Sequence, residues 1–180
     1  MNKRITLITM LNSASLDKIN NLVSKINVPI CKVPYGVTID EREKNDSLPF
    51  HFTISAWNKE VENDIINMIE EINFESINIV IDKIKIANGN ENSFVLYLLP
   101  RDDDKLKNLL KLVYEKYPTE KYNLDTFLFH ITLDVDKDFN KVERIRNIIL
   151  KDFVPFEIGI DKLGLFEIYP AIKIYEKQGK

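Results

Sequence analysis

Apolar residues follow two alternating spacings along the chain. Residues 4–11 combine apolar and β-branched side chains in a short run bounded by polar residues, which predicts a strand. The next apolar positions recur at helical spacing, and Ser15 is the predicted N-cap of a helix that runs to about Ile26. Strands therefore alternate with helices from the first residues onward.

The same alternation continues to the end of the chain. Residues 27–49 hold three prolines and are predicted to be irregular, and loops of that length often shape a site. Asn58 is the predicted cap of a second helix, the aspartates at 102–104 open a third, and Asn88-Gly89-Asn90 predicts a hairpin turn. The further predicted strands cover residues 50–57, 77–87, 93–99, 126–135, 156–166 and 168–175.

The chain contains only two histidines, and both are followed two positions later by threonine. His51 lies in Pro-Phe-His-Phe-Thr-Ile-Ser, and His130 lies in Leu-Phe-His-Ile-Thr-Leu-Asp. Because side chains alternate along a strand, each predicted strand carries an imidazole and a hydroxyl on one face. Ser55 is predicted to share the face of His51. The elements around the two motifs also repeat in the same order.

This pair of motifs suits acid–base chemistry at phosphorus. In-line displacement needs one group that removes a proton from the nucleophile and another that protonates the leaving oxygen. Histidine can do either near neutral pH, since its ordinary pKa is near 6.5. Thr53 and Thr132 can donate hydrogen bonds to the non-bridging oxygens. His51 and His130 are therefore the predicted catalytic residues, and no metal is required.

The paired motifs resemble those of the 2H phosphoesterase superfamily, which includes bacterial RNA 2',3'-cyclic phosphodiesterases of the 2'-5' RNA ligase group. The resemblance covers essentially the whole chain. It implies an α+β fold of two similar lobes of mainly antiparallel sheet, with outer helices, a central cleft and one motif per lobe. It also implies one bilobal domain over residues 1–180, phosphate binding by Thr53 and Thr132, and a 2'-phosphate product from a cyclic phosphate.

One departure from the family concerns the residues after the second motif. Many relatives have an arginine there, whereas this chain has Asp134-Val135-Asp136. This favours a divergent branch acting on another phosphodiester or a small cyclic nucleotide. Asp134 and Asp136 are interpreted as solvated residues at a strand end. A metal site formed by the histidines and these aspartates lacks the ligand spacing of known zinc motifs.

Several other side chains are weaker candidates for substrate contact. Aromatic rings could stack on a base, although packing explains them better, and basic side chains could reach a phosphate, although the sequence gives no reason to prefer these over the other basic residues. A lone cysteine is most simply a small buried side chain, and it forms no internal disulfide. The residues in question are Tyr35, Tyr169 and Tyr175; Lys32, Arg101 and Lys173; and Cys31.

Composition and charge limit the partners. The chain has 180 residues and a formal net charge of −3, with a pI of about 5.5. Extended binding to a nucleic-acid duplex normally needs a basic excess, so a nucleotide or an RNA terminus is the expected substrate. We also expect a monomer in the cytoplasm without membrane association. The functional alternatives are a 2'-5' phosphodiesterase or ligase-type activity on RNA, and a non-catalytic module that binds a nucleotide or RNA end.

Overall fold

The computed structural model describes residues 3–26, 48–90, 92–118, 126–168 and 171–180. A short 3₁₀-helix, Lys59–Val61, precedes the second helix. In chain order the elements are β1 (Arg4–Leu11), α1 (Ser13–Ser24), β2 (Thr53–Asn58), α2 (Glu62–Glu71), β3 (Ile77–Asn88), β4 (Phe94–Pro100), α3 (Asp104–Lys116), β5 (Ile131–Asp136), α4 (Phe139–Leu150), β6 (Phe156–Ile168) and β7 (Ile172–Gln178). None of the helices in these ranges has the length and apolar character needed to cross a membrane.

The seven strands form one antiparallel sheet, which confirms the predicted α+β class. Their order is β2-β1-β6-β3-β4-β5, and β7 pairs with β6 outside this path. The long strand β6 joins the sheet together. Its residues 160–168 pair with β1, and its residues 156–160 pair with β3 on the other edge.

The sheet consists of two similar halves that exchange their third strands. The first half has the order β1-α1-β2-α2-β3, and the second has β4-α3-β5-α4-β6. In each half the first strand pairs with the second. The third strand, however, pairs with the first strand of the other half: β3 with β4, and β6 with β1. Each half therefore completes the sheet of the other.

The register of the strands repeats between the halves as closely as their order does. In the first half Leu7 pairs with Ser55 and Ile8 with Thr53, so Ile54 is the extra residue of a β-bulge. In the second half Leu96 pairs with Asp134 and Tyr97 with Thr132, so Leu133 is the extra residue. The two halves also share a second bulge, in which the extra residue is Asp161 in β6 and Asp82 in β3.

The two faces of the sheet have different roles. Leu7 and Leu96 belong to the main hydrophobic core, to which all four helices contribute buried side chains. Their neighbours Ile8 and Tyr97 have the opposite orientation and belong to two smaller apolar clusters. We call this second side the motif face, because the residues paired with Ile8 and Tyr97 are the motif threonines.

Local capping differs from the sequence prediction at the first helix. Asn12, not Ser15, is the N-cap of α1, and its side chain accepts a hydrogen bond of 2.9 Å from the backbone N–H of Ser15. The hydroxyl of Ser15 instead accepts a bond of 2.7 Å from the N–H of Gly159 in β6. Asn58 precedes the 3₁₀-helix but makes no side-chain capping bond. The predicted hairpin turn is present, with Gly89 N–H bound to the carbonyl of Ser93.

Candidate active site

The two histidines lie immediately before equivalent strands. The predicted strands 50–57 and 126–135 begin later than expected, at Thr53 and Ile131, so His51 and His130 precede regular pairing. Nδ1 of His51 is 2.7 Å from the carbonyl of Pro49, and Nδ1 of His130 is 2.9 Å from the carbonyl of Leu128. A carbonyl can only accept, so Nδ1 carries the proton in both rings. Nε2 is then the nitrogen that is left for proton transfer.

Contacts around the second motif place its side chains on the motif face. Thr132 is paired with Tyr97, and the ring of Tyr97 lies 5.3 Å from the imidazole of His130, centroid to centroid. In the first half Thr53 is paired with Ile8. The second motif therefore has an imidazole next to the motif face and a hydroxyl on it, and the first motif has its threonine at the equivalent position.

One electrostatic effect connects the two motifs. In a flat sheet β2 and β5 would lie about 24 Å apart, since neighbouring strands are spaced by about 4.8 Å. A charge on His130 nevertheless lowers the pKa of His51, and solvent would screen that effect over such a distance. The effect is the smallest of the three that act on the His51 ring, after burial and the bond to Pro49, and it indicates that the two imidazoles lie nearer to each other than this flat-sheet spacing.

Both imidazoles favour the neutral form in the free protein. His51 is 7% exposed, and burial lowers its pKa to about 4, against a smaller opposing effect of its bond to Pro49. Burial also lowers the pKa of His130. A bound phosphate would supply the negative charge that stabilises a protonated ring. The site can therefore take up its catalytic proton together with an anionic ligand.

The residues that follow each threonine are oriented differently from the prediction. Ser55 was expected on the face of His51, but the bulge at Ile54 places it opposite Leu7, on the core face, where it is fully buried. Its hydroxyl has no hydrogen-bond partner among the described residues. Asp134, interpreted from sequence as solvated, occupies the equivalent core-face position and is 1% exposed. The prediction was wrong for both residues because a bulge reverses the alternation of side chains.

The weaker candidates are engaged elsewhere. Arg101 forms an ion pair of 3.2 Å with Asp82, and Lys173 forms one of 3.0 Å with Glu176. The hydroxyl of Tyr175 donates to the carboxylate of Glu70, and its ring packs against the main core. Asp136, which sequence placed at a solvated strand end, is paired with Lys141 at 2.5 Å. The predictions for Cys31, Lys32, Tyr35 and Tyr169 lie outside the described residues.

Two features away from the motifs could also attract ligands. The carboxylates of Asp102, Asp103 and Asp104 converge at the start of α3, but Asp103 is paired with Lys107 at 2.7 Å and the cluster is solvated. A cavity of about 430 Å³ lies between α4 and the β3–β4 hairpin. The motif histidines and threonines do not line it.

Sequence reasoning missed Tyr97, which contacts His130. The signal for it was indirect. Tyr97 lies on the same face of β4 as Val95 and Leu99, and only the pairing of β4 with β5 shows that Thr132 shares this face. The equivalent residue in the first half is Ile8. The two motifs therefore differ in the residue that pairs with the threonine on the neighbouring strand.

Solved structures with the same arrangement are 2H phosphoesterases. E. coli LigT in complex with 3'-AMP superposes with a TM-score of 0.61 at 14% identity, covering 100% of this chain and 99% of that one. A protein described as a phosphoesterase gives a TM-score of 0.63 at 12% identity, covering 100% and 99%. Usb1 from Kluyveromyces marxianus gives 0.53 at 14% identity, covering 96% and 97%. The chain has the fold of the 2H phosphoesterases.

The similarity to these proteins is found in the structure and not in the sequence, since no family model and no curated protein match the sequence. The resemblance inferred from the motifs is thereby confirmed at the level of the fold. LigT has also been solved with ATP, and Usb1 with uridine monophosphate. Structures of LigT and of Usb1 have thus been solved with bound nucleotides.

Proposed function

We propose that the protein is a 2H-type phosphoesterase that hydrolyses a nucleotide 2',3'-cyclic phosphate, at an RNA end or in a small cyclic nucleotide, to a 2'-phosphate. The observation that carries the proposal is the equivalent placement of His51-x-Thr53 and His130-x-Thr132 before and in equivalent strands, each ring bound at Nδ1 to a backbone carbonyl. The effect of a charge on His130 on the pKa of His51 supports it. Thr53 and Thr132 are the proposed phosphate ligands. The nucleotide-bound neighbours support this substrate class.

The proposed reaction uses one neutral and one protonated imidazole. The neutral ring takes a proton at Nε2 from water as the water oxygen forms a bond to phosphorus. The bond from phosphorus to the ribose 3'-oxygen breaks, and the protonated ring gives its proton to that oxygen. The hydroxyls of Thr53 and Thr132 donate to the non-bridging oxygens, where charge accumulates. After the reaction the two imidazoles again hold one transferable proton between them, so water is the only reactant consumed besides the cyclic phosphate.

Single substitutions test this function. His51→Ala and His130→Ala should each lower the rate of hydrolysis of a nucleoside 2',3'-cyclic phosphate on the order of 10²–10⁴-fold, since each removes one proton-transfer group. Thr53→Val and Thr132→Val should each cost on the order of 10²-fold. Ser55→Ala is the matched control, because its hydroxyl lies on the core face. A chelator should leave the wild-type rate unchanged.

The alternatives give different results in the same assay. Tight binding of cyclic and 2'-5'-linked nucleotides without any turnover would indicate a binding module. Cleavage or joining of 2'-5' linkages in preference to cyclic phosphates would indicate the other RNA activity. Hydrolysis that survives removal of both imidazoles would overturn the proposal.

A further inference from the structure

Because β3 and β6 are exchanged, the first half of the motif face consists of β2, β1, β6 and β7, and the second half of the motif face consists of β3, β4 and β5. These two halves of the motif face carry a different charge. In the first half Lys162 and Lys173 are both paired with one carboxylate, that of Glu176, at 2.8 and 3.0 Å. In the second half Lys83 and Lys85 are exposed on β3. Neither forms an ion pair or side-chain hydrogen bond with another described residue. Among the described residues, the second half of the motif face thus presents positive charge that no carboxylate is paired with.

The register places these lysines in line with the second motif. Lys85 pairs with Tyr97, which in turn pairs with Thr132, so the three side chains form one row across β3, β4 and β5 on the motif face. Lys83 pairs with Leu99 in the next row. Two strand spacings separate Lys85 from Thr132, a distance of about 10 Å between backbones.

Within the described ranges, the equivalent positions in the first half of the motif face lack this pair of free lysines. The equivalent of Lys85 is Gly164, which pairs with Ile8, and the equivalent of Lys83 is Lys162, which pairs with Met10. The first half therefore has no cation at one position and a neutralised cation at the other. Of the described residues that are paired on the motif face in β3, β4 and β5, none is acidic. The bulge residue Asp82, which precedes Lys83, forms an ion pair with Arg101.

We propose that Lys83 and Lys85 bind the backbone phosphates of a single-stranded RNA whose terminal phosphate lies between the two motifs. This inference rests on the proposed function and assigns Lys83 and Lys85 as the residues that favour an oligonucleotide end over a mononucleotide. The RNA strand leaves the reacting phosphate across Tyr97 and follows β3. Exposed ammonium groups spaced along a strand suit this role, because they follow a phosphate backbone without reading its sequence.

The test compares two substrates that share one reacting group. Adenosine 2',3'-cyclic phosphate and a single-stranded oligonucleotide ending in that group are hydrolysed by the wild type and by the double variant K83Q/K85Q. The variant should raise KM for the oligonucleotide roughly tenfold at low salt and leave the mononucleotide unchanged. The slope of log KM against log salt concentration should fall by about 0.7 for each lysine removed. K162Q is the matched control and should change neither substrate.

Binding of the products separates this inference from the proposed function. The affinity of a 2'-phosphorylated oligonucleotide, measured by fluorescence anisotropy, should fall in K83Q/K85Q whether or not the protein shows turnover. Equal affinities for wild type and variant would overturn the inference, as would an equal loss with adenosine 2'-monophosphate. Stronger self-association of the variant with unchanged RNA binding would also overturn it. That result would show that the two lysines keep the open edge of β3 from pairing with a strand of another molecule and do not bind RNA.

Discussion

At the scale of single residues, the burial of His51 distinguishes it from an ordinary surface histidine. Its ring lies next to the core at the start of β2, is hydrogen-bonded to Pro49, and has a pKa of about 4. A histidine in the unfolded chain has a pKa near 6.5. Between these values the unfolded state binds a proton that the folded state does not accept. Folding stability should therefore decrease as the pH falls through this range.

This pH dependence can be measured with His51→Gln. The free energy of unfolding of the wild type, relative to that of the variant, should decrease by up to about 3 kcal/mol between pH 6.5 and pH 4. The difference between the two proteins should become constant above about pH 8, where the ring of His51 is neutral in both the folded and the unfolded state. Urea unfolding at several pH values gives this difference directly. Parallel curves across the whole range would show that His51 is not buried as described.

The orientation of residues next to the motifs could not be predicted from the sequence. The paired His-x-Thr sequences identified His51 and His130 because the residue types themselves carry the chemistry. The orientation of Ser55 and the burial of Asp134 depend on bulges at Ile54 and Leu133, which exist only relative to a partner strand. Alternation within one strand does not contain that information.

At the scale of elements, spacing predicted most of the helices and strands. The first strand has the predicted bounds, and the buried positions of α3 and α4 are those whose apolar residues recur at helical spacing. Helix ends were less predictable. The cap of α1 is decided by the contact of Ser15 with Gly159, which is distant in sequence. Lys177 provides a similar long-range contact at the other end of a helix.

The ammonium group of Lys177 caps the C-terminus of α2 from strand β7. It donates to the carbonyls of Ile69, Glu70 and Ile72 at 2.9, 2.7 and 2.7 Å, which would otherwise lack intrahelical partners. Lys177→Met should lower the free energy of unfolding by about 1–3 kcal/mol.

Lys173→Met on the same strand is the matched control for Lys177→Met. Lys173 pairs only with Glu176 at the surface, so its loss should cost less than about 1 kcal/mol. Thermal or chemical unfolding of both variants provides the comparison. Similar losses in the two variants would show that the contacts of Lys177 with α2 contribute no more than a surface pair.

At the scale of the whole molecule, the exchange of β3 and β6 between the halves places two distant motifs in one sheet. Each half supplies the third strand of the other, so one continuous sheet carries both motifs. The repeated order of elements was visible in the sequence, but the exchange was not, because strand pairing between halves leaves no local pattern. The predicted single domain over residues 1–180 agrees with this exchange and remains a prediction.

The central claim is that His51 and His130 act on the same phosphate. Because the chain has only two histidines, its imidazole NMR spectrum contains two sets of signals, which single His→Gln variants assign. Titration with adenosine 2'-monophosphate should shift both sets along one saturation curve with the same Kd, and raise both pKa values. A ligand that shifts only one ring, or the two rings with different Kd values, would contradict the account.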